Sequence, residues 1–308
     1  MSIFYKRPSP SKELQVFNYV RPRLNLSSSS LRTYDTLQKG YVGEKKFYNI
    51  LKQLLSSKCI VLFDLLLEIN GTTFQIDCLL IFQETIYLIE IKNYDGDYYL
   101  QEGKWYSVAT KKEIRSPLHQ LERSELLMQQ LIQRNGYHFS IKSYIVFVNE
   151  SFTLYEASLQ MPIIFPTQLN RFIEKLNRIP SILTTPHKKL AKFLVENVVD
   201  ESKYLRLPEY DYIALKKGIT CNQCRGYMDQ EGYKNMLCQN CGEIDGVDSA
   251  VLRSVVEFAI LFPKRKITTT EIFKWCDTIV SRRKIQEILA NYLVLVQKGK
   301  QSHYVWKN

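Results

Sequence analysis

Apolar and polar residues recur with two different periods along the first part of the chain. Between residues 34 and 55 the apolar side chains follow the spacing of one helix face, which predicts a helix. Three apolar runs follow at residues 60–68, 72–82 and 86–92, and their length and composition predict strands. Asn70-Gly71 separates the first two runs, and this dipeptide is a strong signal for a two-residue hairpin turn.

The same two periods continue beyond residue 92. Pro117 suits the first turn of a helix, where its missing N–H has no partner to lose, and we predict that this helix reaches residue 134. Short strands are predicted at 98–101, 105–109, 143–148 and 163–165, and further helices at 167–178 and 187–199. Helices and strands that interleave in this way predict a mixed α/β domain.

Changes of composition divide the chain into five segments. Prolines and the serine run at 27–30 predict that residues 1–33 are an irregular basic arm. The other segments are an α/β domain at 34–200, a linker at 201–218, a four-cysteine module at 219–246 and a C-terminal module at 247–308.

The formal net charge of +11 is concentrated at the two ends of the chain. Residues 1–40 carry seven basic and two acidic side chains, and residues 219–308 carry thirteen and nine, whereas the segment between them is nearly balanced. Basic ends, together with 20 tyrosines, favour nucleic acid as a partner, because cations bind phosphates and aromatic rings stack on bases.

Several classes of protein are excluded by what the sequence lacks. The N-terminus has no apolar segment of a secretory signal, and no apolar run approaches the roughly 18–20 residues that span a bilayer. No Gly-x-x-x-x-Gly-Lys-Ser/Thr loop is present, which argues against an ATP-driven motor. We therefore expect a cytoplasmic protein that does not associate with membranes.

Four of the seven cysteines form two C-x-x-C pairs, Cys221 with Cys224 and Cys238 with Cys241. Two such pairs around a short hairpin are typical of a zinc ribbon, in which four thiolates complete the coordination of one Zn²⁺. The alternative of two disulfides requires an oxidising compartment, for which the sequence contains no targeting signal. We expect Zn²⁺ here, with a structural role.

Charged residues interrupt two of the predicted strands. Asp77 lies in the second apolar run, and Glu90 and Lys92 lie in the third. Because side chains alternate along a strand, Glu90 and Lys92 project from the same face, and Asp77 can face them from the next strand. Two converging carboxylates suit Mg²⁺ or Mn²⁺, and an adjacent lysine can orient or deprotonate a water, or neutralise charge on a phosphoryl group. The alternative is a buried structural ion pair at a sheet edge.

A further carboxylate, Glu44, falls on the apolar face of the first predicted helix, since it precedes Phe47 by three residues and Leu51 by seven. It is a candidate for an additional metal ligand. Gly40 and Gly43, just before it, allow a neighbouring segment to approach closely. The alternative is that Glu44 only interacts favourably with the helix dipole.

Short motifs in this order resemble NERD, the nuclease-related domain, over roughly residues 35–150. The motifs are Gly40-Tyr-Val-Gly43-Glu44, Gln75-Ile-Asp77, Glu90-Ile-Lys92 and Ser116-Pro117-Leu118-His119-Gln120. The NERD domain is similar to the PD-(D/E)xK nucleases. The resemblance implies the α/β fold of those nucleases, a mixed sheet flanked by helices.

The resemblance also implies roles for individual residues. Asp77 and Glu90 would be the metal ligands, Glu44 an auxiliary acid and Lys92 the catalytic lysine. Gln120 matches a glutamine that related nucleases place at the site, although a surface or capping role is an equal alternative. Residue 76 is not the proline of the superfamily's motif, so the assignment of Asp77 rests on its context.

The C-terminal segment 247–308 predicts three helices and a basic hairpin, a combination that resembles a winged-helix module. Three cations open the third helix, where they oppose the helix dipole, and a bound phosphate would explain them. Two more cations lie in the predicted hairpin. We predict nucleic-acid contacts at Arg282, Arg283, Lys284, Lys298 and Lys300. The alternative is a solvated basic turn in a protein-interaction module.

Together these patterns predict a nuclease that uses Mg²⁺ or Mn²⁺ to hydrolyse phosphodiester bonds in DNA. The zinc ribbon and the winged-helix-like module would position the nucleic acid. The alternative is a non-catalytic nucleic-acid-binding or regulatory protein that uses a nuclease-like scaffold.

Overall fold

A computed structural model describes residues 2–200, 205–297 and 299–307, without the side chain of Lys300. The helices are α1 (Lys12–Val20), α2 (Ser28–Leu54), α3 (Pro117–Arg134), α4 (Leu169–Asn177), α5 (Thr185–Glu196), α6 (Val247–Leu261), α7 (Thr269–Trp275) and α8 (Arg282–Tyr292). The strands are β1 (Ile3–Lys6), β2 (Ile60–Ile69), β3 (Thr72–Ile81), β4 (Thr85–Lys92), β5 (Gly96–Gln101), β6 (Lys104–Ser107), β7 (Glu113–Ile114), β8 (Ser140–Phe147), β9 (Phe152–Tyr155), β10 (Ile163–Ile164), β11 (Ile219–Thr220), β12 (Tyr227–Glu231), β13 (Asn235–Cys238), β14 (Ile244–Gly246), β15 (Leu293–Val296) and β16 (His303–Trp306). None of the helices in the described ranges combines the length and apolar character needed to cross a bilayer.

The long elements agree closely with the sequence-based prediction. Helix α3 has the predicted bounds, with Ser116 as its N-cap and Pro117 in its first turn. Each of the three long strands β2, β3 and β4 differs from its predicted range by one residue. Asn70 and Gly71 have φ angles of 52° and 71°, so both occupy the left-handed region that a two-residue hairpin turn requires.

The described residues 2–11 and 35–200 form one compact unit around a six-stranded sheet. The strand order is β1-β2-β3-β4-β8-β10, with antiparallel pairing from β2 to β4 and parallel pairing elsewhere. Helices α3 and α5 pack on one face of the sheet, and α2 and α4 pack on the other. The predicted mixed sheet flanked by helices is therefore confirmed.

A smaller sheet, in the order β7-β6-β5-β9, lies at the end of β4. Trp105 of β6 is fully buried, and its ring lies 6.1 Å from the ring of Phe147. Phe147 is the β8 residue that pairs with Lys92. The smaller sheet therefore encloses the end of β4 where the charged residues lie.

The hairpin of β2 and β3 switches faces at Asp64 and Asp77. Ile76 and Leu79 both belong to the core under α3 and α5, although strict alternation would put residues three apart on opposite faces. Strand β2 makes the same switch around Asp64, whose φ is 53°, and the pairing register is unchanged on either side. Asp77 thus lies at a break in the pleat, where its side chain need not enter an apolar core.

The described residues 12–34, 205–297 and 299–307 form the second compact unit. It contains an antiparallel sheet, β11-β12-β13-β14, then helices α6 to α8 and the antiparallel pair β15–β16. An antiparallel bridge between Ile267 and Tyr304 adds a third extended segment beside that pair. Phe258 and Trp275 are fully buried in the core that these helices share.

The prediction that residues 1–33 form an irregular arm is wrong. Strand β1 pairs in parallel with β2 at the edge of the large sheet. Helix α1 buries Val16, Phe17 and Val20. Prolines flank α1 instead of interrupting it, so they mark its ends and do not prevent the helix.

Residues 205–218, which the sequence patterns place in a linker, also belong to the second core. They form turns and bends, but Leu215 is only 1% exposed. The ring of Tyr212 lies 5.9 Å from that of Trp275. This segment is therefore packed, and residues 201–204 of the predicted linker lie outside the described residues.

Candidate active site and metal-binding residues

The carboxylate of Asp77 lies where the pairing of β3 with β4 ends. Backbone pairing between these strands runs as far as Cys78 and Ile89. One step further, Oδ2 of Asp77 accepts a hydrogen bond from the backbone N–H of Ile91 at 2.8 Å. A side-chain oxygen thus replaces a main-chain carbonyl as acceptor, which satisfies the Ile91 amide and fixes Asp77 against β4.

Glu90 and Lys92 are two residues apart on β4 and form an ion pair. Nζ of Lys92 lies 2.7 Å from Oε1 of Glu90. Glu90 is 1% exposed, and its second oxygen, Oε2, is buried without a hydrogen-bond partner among the described residues. Because a buried carboxylate oxygen without a partner is costly, this atom is where a further cationic ligand would be favourable.

Gln120 approaches the same lysine from helix α3. Nζ of Lys92 donates to Oε1 of Gln120 at 3.1 Å. Four residues later on the same helix face, Oγ of Ser124 donates to the carbonyl of Gln75 at 3.3 Å, which holds α3 against β3. The N-cap at Ser116 sets where the helix begins, and therefore which of its residues faces β4.

Helix α2 approaches the end of β4 through a close contact at Gly43. A Cβ on Gly43 would lie 2.7 Å from Cβ of Asn93, so a larger residue would push the two segments apart. Nδ2 of Asn93 also donates to the carbonyl of Lys39 at 2.9 Å. The space around Gly40 is open to 4 Å, so the close approach predicted for both glycines occurs at Gly43 alone. Glu44 follows directly.

Burial and mutual repulsion raise the pKa of both carboxyls on the sheet. Burial is the largest cause of the strongly raised pKa of Asp77, and repulsion by Glu90 and Glu44 adds to it. Burial also raises the pKa of Glu90, against the attraction of Lys92. Burial lowers the pKa of Lys92, but nearby carboxylates, chiefly Glu90, reverse this, and the net direction is upward. The cluster thus carries more negative than positive charge, which a divalent cation would neutralise.

Asp77 and Glu90 together fit a divalent cation that prefers oxygen ligands. Mg²⁺ usually keeps several waters and takes only one or two carboxylates from a protein. Within the described ranges, only the four cysteines form a group of three or more candidate ligands whose donor atoms all lie within 4.8 Å of one another. Glu44 therefore does not complete an equally tight group with the other two carboxylates, and it acts on Asp77 as a nearby charge.

The four cysteines of the second unit converge on one point. All four Sγ atoms, from Cys221, Cys224, Cys238 and Cys241, lie within 4.8 Å of one another. The four thiols are free, and the Cys224–Cys238 and Cys221–Cys241 pairs are separated by 3.4 and 3.7 Å. These separations are far longer than a disulfide bond, so the alternative of two disulfides does not describe this structure.

The first cysteine knuckle is shaped to hold a thiolate. The side chain of Asn240 and the amide of Gly226 lower the pKa of Cys224 to about 6. A Cβ on Gly226 would lie 2.9 Å from Cβ of Asn240 and 3.3 Å from Sγ of Cys224, so glycine is required there. Four sulfur ligands in this arrangement fit a tetrahedral ion such as Zn²⁺.

The three cations predicted to bind nucleic acid from α8 differ in their surroundings. Lys284 lies 3.0 Å from Asp248 and is thereby paired within the protein. Arg282 is exposed and donates to Oγ1 of Thr270 at 2.7 Å, and Arg283 is exposed. The predicted contacts at Lys298 and at the side chain of Lys300 lie outside the described residues.

The structure adds one residue that sequence reasoning missed. Asn93 contacts Gly43 and the carbonyl of Lys39, and so connects helix α2 to the end of β4. Its position directly after Lys92 was a usable signal, because a polar residue that follows a charged strand end often belongs to the same site.

Comparison with known proteins identifies part of the chain. Residues 39–148 match the family model described as NERD, nuclease-related domain. No curated protein and no solved structure matches the chain significantly. The matched range includes Glu44, Asp77, Glu90, Lys92 and Gln120. The chain therefore contains a nuclease-related domain at residues 39–148.

Proposed function

We propose that this chain is a metal-dependent nuclease that hydrolyses phosphodiester bonds in DNA. The observation that carries the proposal is the incomplete ion pair on β4: Lys92 neutralises one oxygen of Glu90 and leaves the other without a partner among the described residues. The nuclease-related domain supports the reaction class. The basic ends of the chain support a polyanionic substrate.

Asp77 and Glu90 would hold Mg²⁺ or Mn²⁺. When bound, such an ion stabilises negative charge on the reacting phosphate and makes water a stronger nucleophile. Asp77 is already fixed by the amide of Ile91, so its carboxylate needs no rearrangement to act as a ligand. Glu44 adds negative charge near Asp77 and strengthens the attraction for a cation.

Lys92 acts as an ammonium group. Its raised pKa means that it keeps its proton at neutral pH, so it is a donor and a positive charge, not a general base. Gln120 accepts one of its N–H groups and thereby limits where Nζ can point. In this position Lys92 orients the attacking water or stabilises charge that develops on the phosphoryl oxygens.

The second unit would bind the nucleic acid. Its four cysteines would hold Zn²⁺ in a ribbon, which fixes the strands β11 to β14 without taking part in the chemistry. Helices α6 to α8, the pair β15–β16 and the bridge from Ile267 to Tyr304 support a winged-helix-like module. Arg282 and Arg283, exposed in the first turn of α8, would contact phosphates.

A cleavage assay tests the catalytic part of this proposal. The purified chain is incubated with single-stranded and double-stranded DNA, with and without Mg²⁺ or Mn²⁺. We expect metal-dependent cleavage that is lost in Asp77→Asn and in Lys92→Met. Lys104→Met is the matched control, since it removes an exposed lysine on a neighbouring strand. Cleavage that persists in both site variants would sink the assignment.

A non-catalytic nucleic-acid-binding or regulatory protein is the second candidate. The short contact between Lys92 and Glu90 favours it, because a structural ion pair would have the same geometry. Titration calorimetry separates the two functions. Divalent-cation binding that Glu90→Gln abolishes supports the nuclease, whereas identical titrations for the wild type and the variant support the scaffold.

A further inference from the structure

A cavity of about 420 Å³ lies beside the first cysteine knuckle in the second unit. Its volume is in the range of small-molecule sites, roughly 300–1,000 Å³. The proposed hydrolysis at Asp77 and Glu90 uses none of the residues around it. The side chains that line it include Asn18, Arg21, Tyr34, Arg225, Tyr227 and Asn240.

The lining is cationic and aromatic. None of the nine lining residues, all of which belong to the described chain, is acidic. The guanidinium of Arg21 lies 4.8 Å from the ring centre of Tyr34, and it also donates to the Tyr34 hydroxyl at 3.3 Å. The guanidinium of Arg225 lies 5.9 Å from the ring centre of Tyr19. Stacking on a ring orients a guanidinium and leaves other N–H donors available for a phosphate.

The backbone at Arg225 supplies an independent observation. Its φ is 64°, in the left-handed region that favours glycine. Arg225 stands between Cys224 and Gly226, in a tight knuckle where a glycine would adopt this conformation with less strain. A charged side chain held at a strained position beside a cavity points to a use for that side chain.

We propose that this cavity binds one nucleotide. The base would stack on the ring of Tyr34 or Tyr227, and the phosphate would bind Arg21 and Arg225. The amides of Asn18 and Asn240 provide donors and acceptors for the edge of the base.

The proposal deepens the proposed function, because it rests on nucleic acid as the partner of the second unit. A paired base is not available to such a cavity without leaving the helix stack, so the ligand is a nucleotide of a single strand or a free nucleotide. The two sources share the same chemistry of phosphate and planar base.

Fluorescence anisotropy separates these sources and keeps binding apart from cleavage. The probes are a short labelled single strand of DNA, the matching duplex and a labelled mononucleotide, all without added Mg²⁺ or Mn²⁺. Tyr34→Leu removes the ring, whereas Tyr34→Phe keeps it. Arg21→Gln removes an exposed charge from the lining, and Lys234→Gln removes an exposed charge outside the lining. A thermal melt of each variant verifies that it is folded.

We expect Tyr34→Leu to weaken binding of the single strand by at least about fivefold, the smallest effect typical of losing one stacked base. Tyr34→Phe and Lys234→Gln should bind as the wild type does. Arg21→Gln should lower both the affinity and the steepness of its salt dependence, the latter by about one unit for one lost phosphate contact. Binding of the mononucleotide that also depends on Tyr34 would show that the free nucleotide is a ligand, and binding of the strand alone would identify the substrate strand.

Unchanged affinity of Tyr34→Leu and Arg21→Gln for both the strand and the mononucleotide overturns the proposal. This result is distinct from a failure of the proposed nuclease function, which would appear as absent cleavage in the metal-dependent assay while the binding data remain as expected. If Tyr34→Leu does not fold, Arg21→Gln against Lys234→Gln decides the question, because both are exposed surface changes.

Discussion

Nζ of Lys92 lies 2.7 Å from Oε1 of Glu90, and Oε2 of the same carboxylate has no hydrogen-bond partner within the described structure. Glu90→Gln keeps the shape of this side chain and removes its charge. We expect divalent-metal binding and cleavage to fall by at least about tenfold, the scale of weakened metal ligation. Titration calorimetry and the cleavage assay measure the two quantities.

The same variant separates function from stability. The pKa of Glu90 is raised by burial, so ionisation of this residue opposes folding when no metal is bound. We therefore expect Glu90→Gln to unfold at the same temperature as the wild type or higher in metal-free buffer. Glu84→Gln, an exposed change near the start of β4, is the control for both readouts. A variant that melts much lower would show that Glu90 mainly serves the fold.

The raised pKa values of Asp77 and Glu90 make stability dependent on pH. Between the ordinary carboxyl pKa and the raised one, the folded chain binds more protons than the unfolded chain. Their contribution to stability is therefore present at low pH and is lost as pH rises through the raised values. We expect Asp77→Asn to flatten the decline in the free energy of unfolding between about pH 4 and about pH 8.

Urea unfolding at several pH values measures this slope in metal-free buffer. Mg²⁺ should also reduce the decline in the wild type, because a bound cation stabilises the ionised carboxylates. Mg²⁺ should have no such effect on Asp77→Asn. Equal slopes for the wild type and the variant would contradict the assignment of the raised pKa to this site.

Gly43 and Gly40 provide a matched pair of substitutions in helix α2. In Gly43→Ala the new Cβ would lie 2.7 Å from Cβ of Asn93, which forces α2 away from the end of β4. We expect a loss of about 1–3 kcal/mol in the free energy of unfolding, together with reduced cleavage, because Glu44 moves with the helix.

Gly40→Ala has the opposite expectation. No atom lies within 4 Å of its added Cβ, and the residue is helical, so the substitution should stabilise the chain by up to about 1 kcal/mol. Urea unfolding and the cleavage assay of the two variants side by side make the comparison. Equal effects of the two substitutions would show that the contact with Asn93 does not position the helix.

This pair of glycines also shows where prediction from sequence ends. Both precede Glu44 at similar spacing, and nothing local distinguishes them; only Asn93, on another element, gives Gly43 its role. The switch of faces at Asp77 is similar, because it depends on Asp64 in the paired strand and leaves no mark on the apolar pattern of β3. Such features arise from contacts between elements, which periodicity does not record.

The elements that could be predicted are those whose signals are local. Asn70-Gly71 defines the β2–β3 hairpin, and Ser116-Pro117 defines the start of α3. The C-x-x-C pairs identify the sulfur cluster from spacing alone. By contrast, the contact of Gln120 with Lys92 could be expected only from family resemblance, because the two residues lie on separate elements 28 residues apart.

The sulfur cluster predicts a metal content and a pattern of thiol reactivity. We expect one Zn²⁺ per chain by elemental analysis, bound by Cys221, Cys224, Cys238 and Cys241. Removal of the metal with a strong chelator should expose these four thiols to a thiol reagent and lower the melting temperature of the second unit.

The remaining three cysteines serve as an internal control. Cys59, Cys78 and Cys276 are fully buried, so they should react only after global unfolding. A native chain whose four clustered thiols react at once, before any chelator is added, would contradict metal binding at this site.

The ion pair of Arg23 with Glu257 tests whether residues 12–34 are part of the second unit. Nε and Nη2 of Arg23 donate to the two oxygens of Glu257 at 2.8 and 3.0 Å, and both side chains are buried. Further N–H groups of Arg23 donate to the carbonyls of Lys216 and Gly218. The arginine thereby joins the segment after α1 to residues nearly 200 positions away.

Arg23→Met leaves Glu257 buried without its partner. We expect a loss of about 3–5 kcal/mol in the free energy of unfolding by urea, the usual effect of breaking a buried ion pair. Adding Glu257→Gln should recover part of the loss, since it removes the uncompensated charge. Arg21→Met, two residues away and exposed, should change stability by no more than about 0.5 kcal/mol. Equal effects of Arg23→Met and Arg21→Met would mean that the N-terminal segment is dispensable for the second unit, as a basic arm would be.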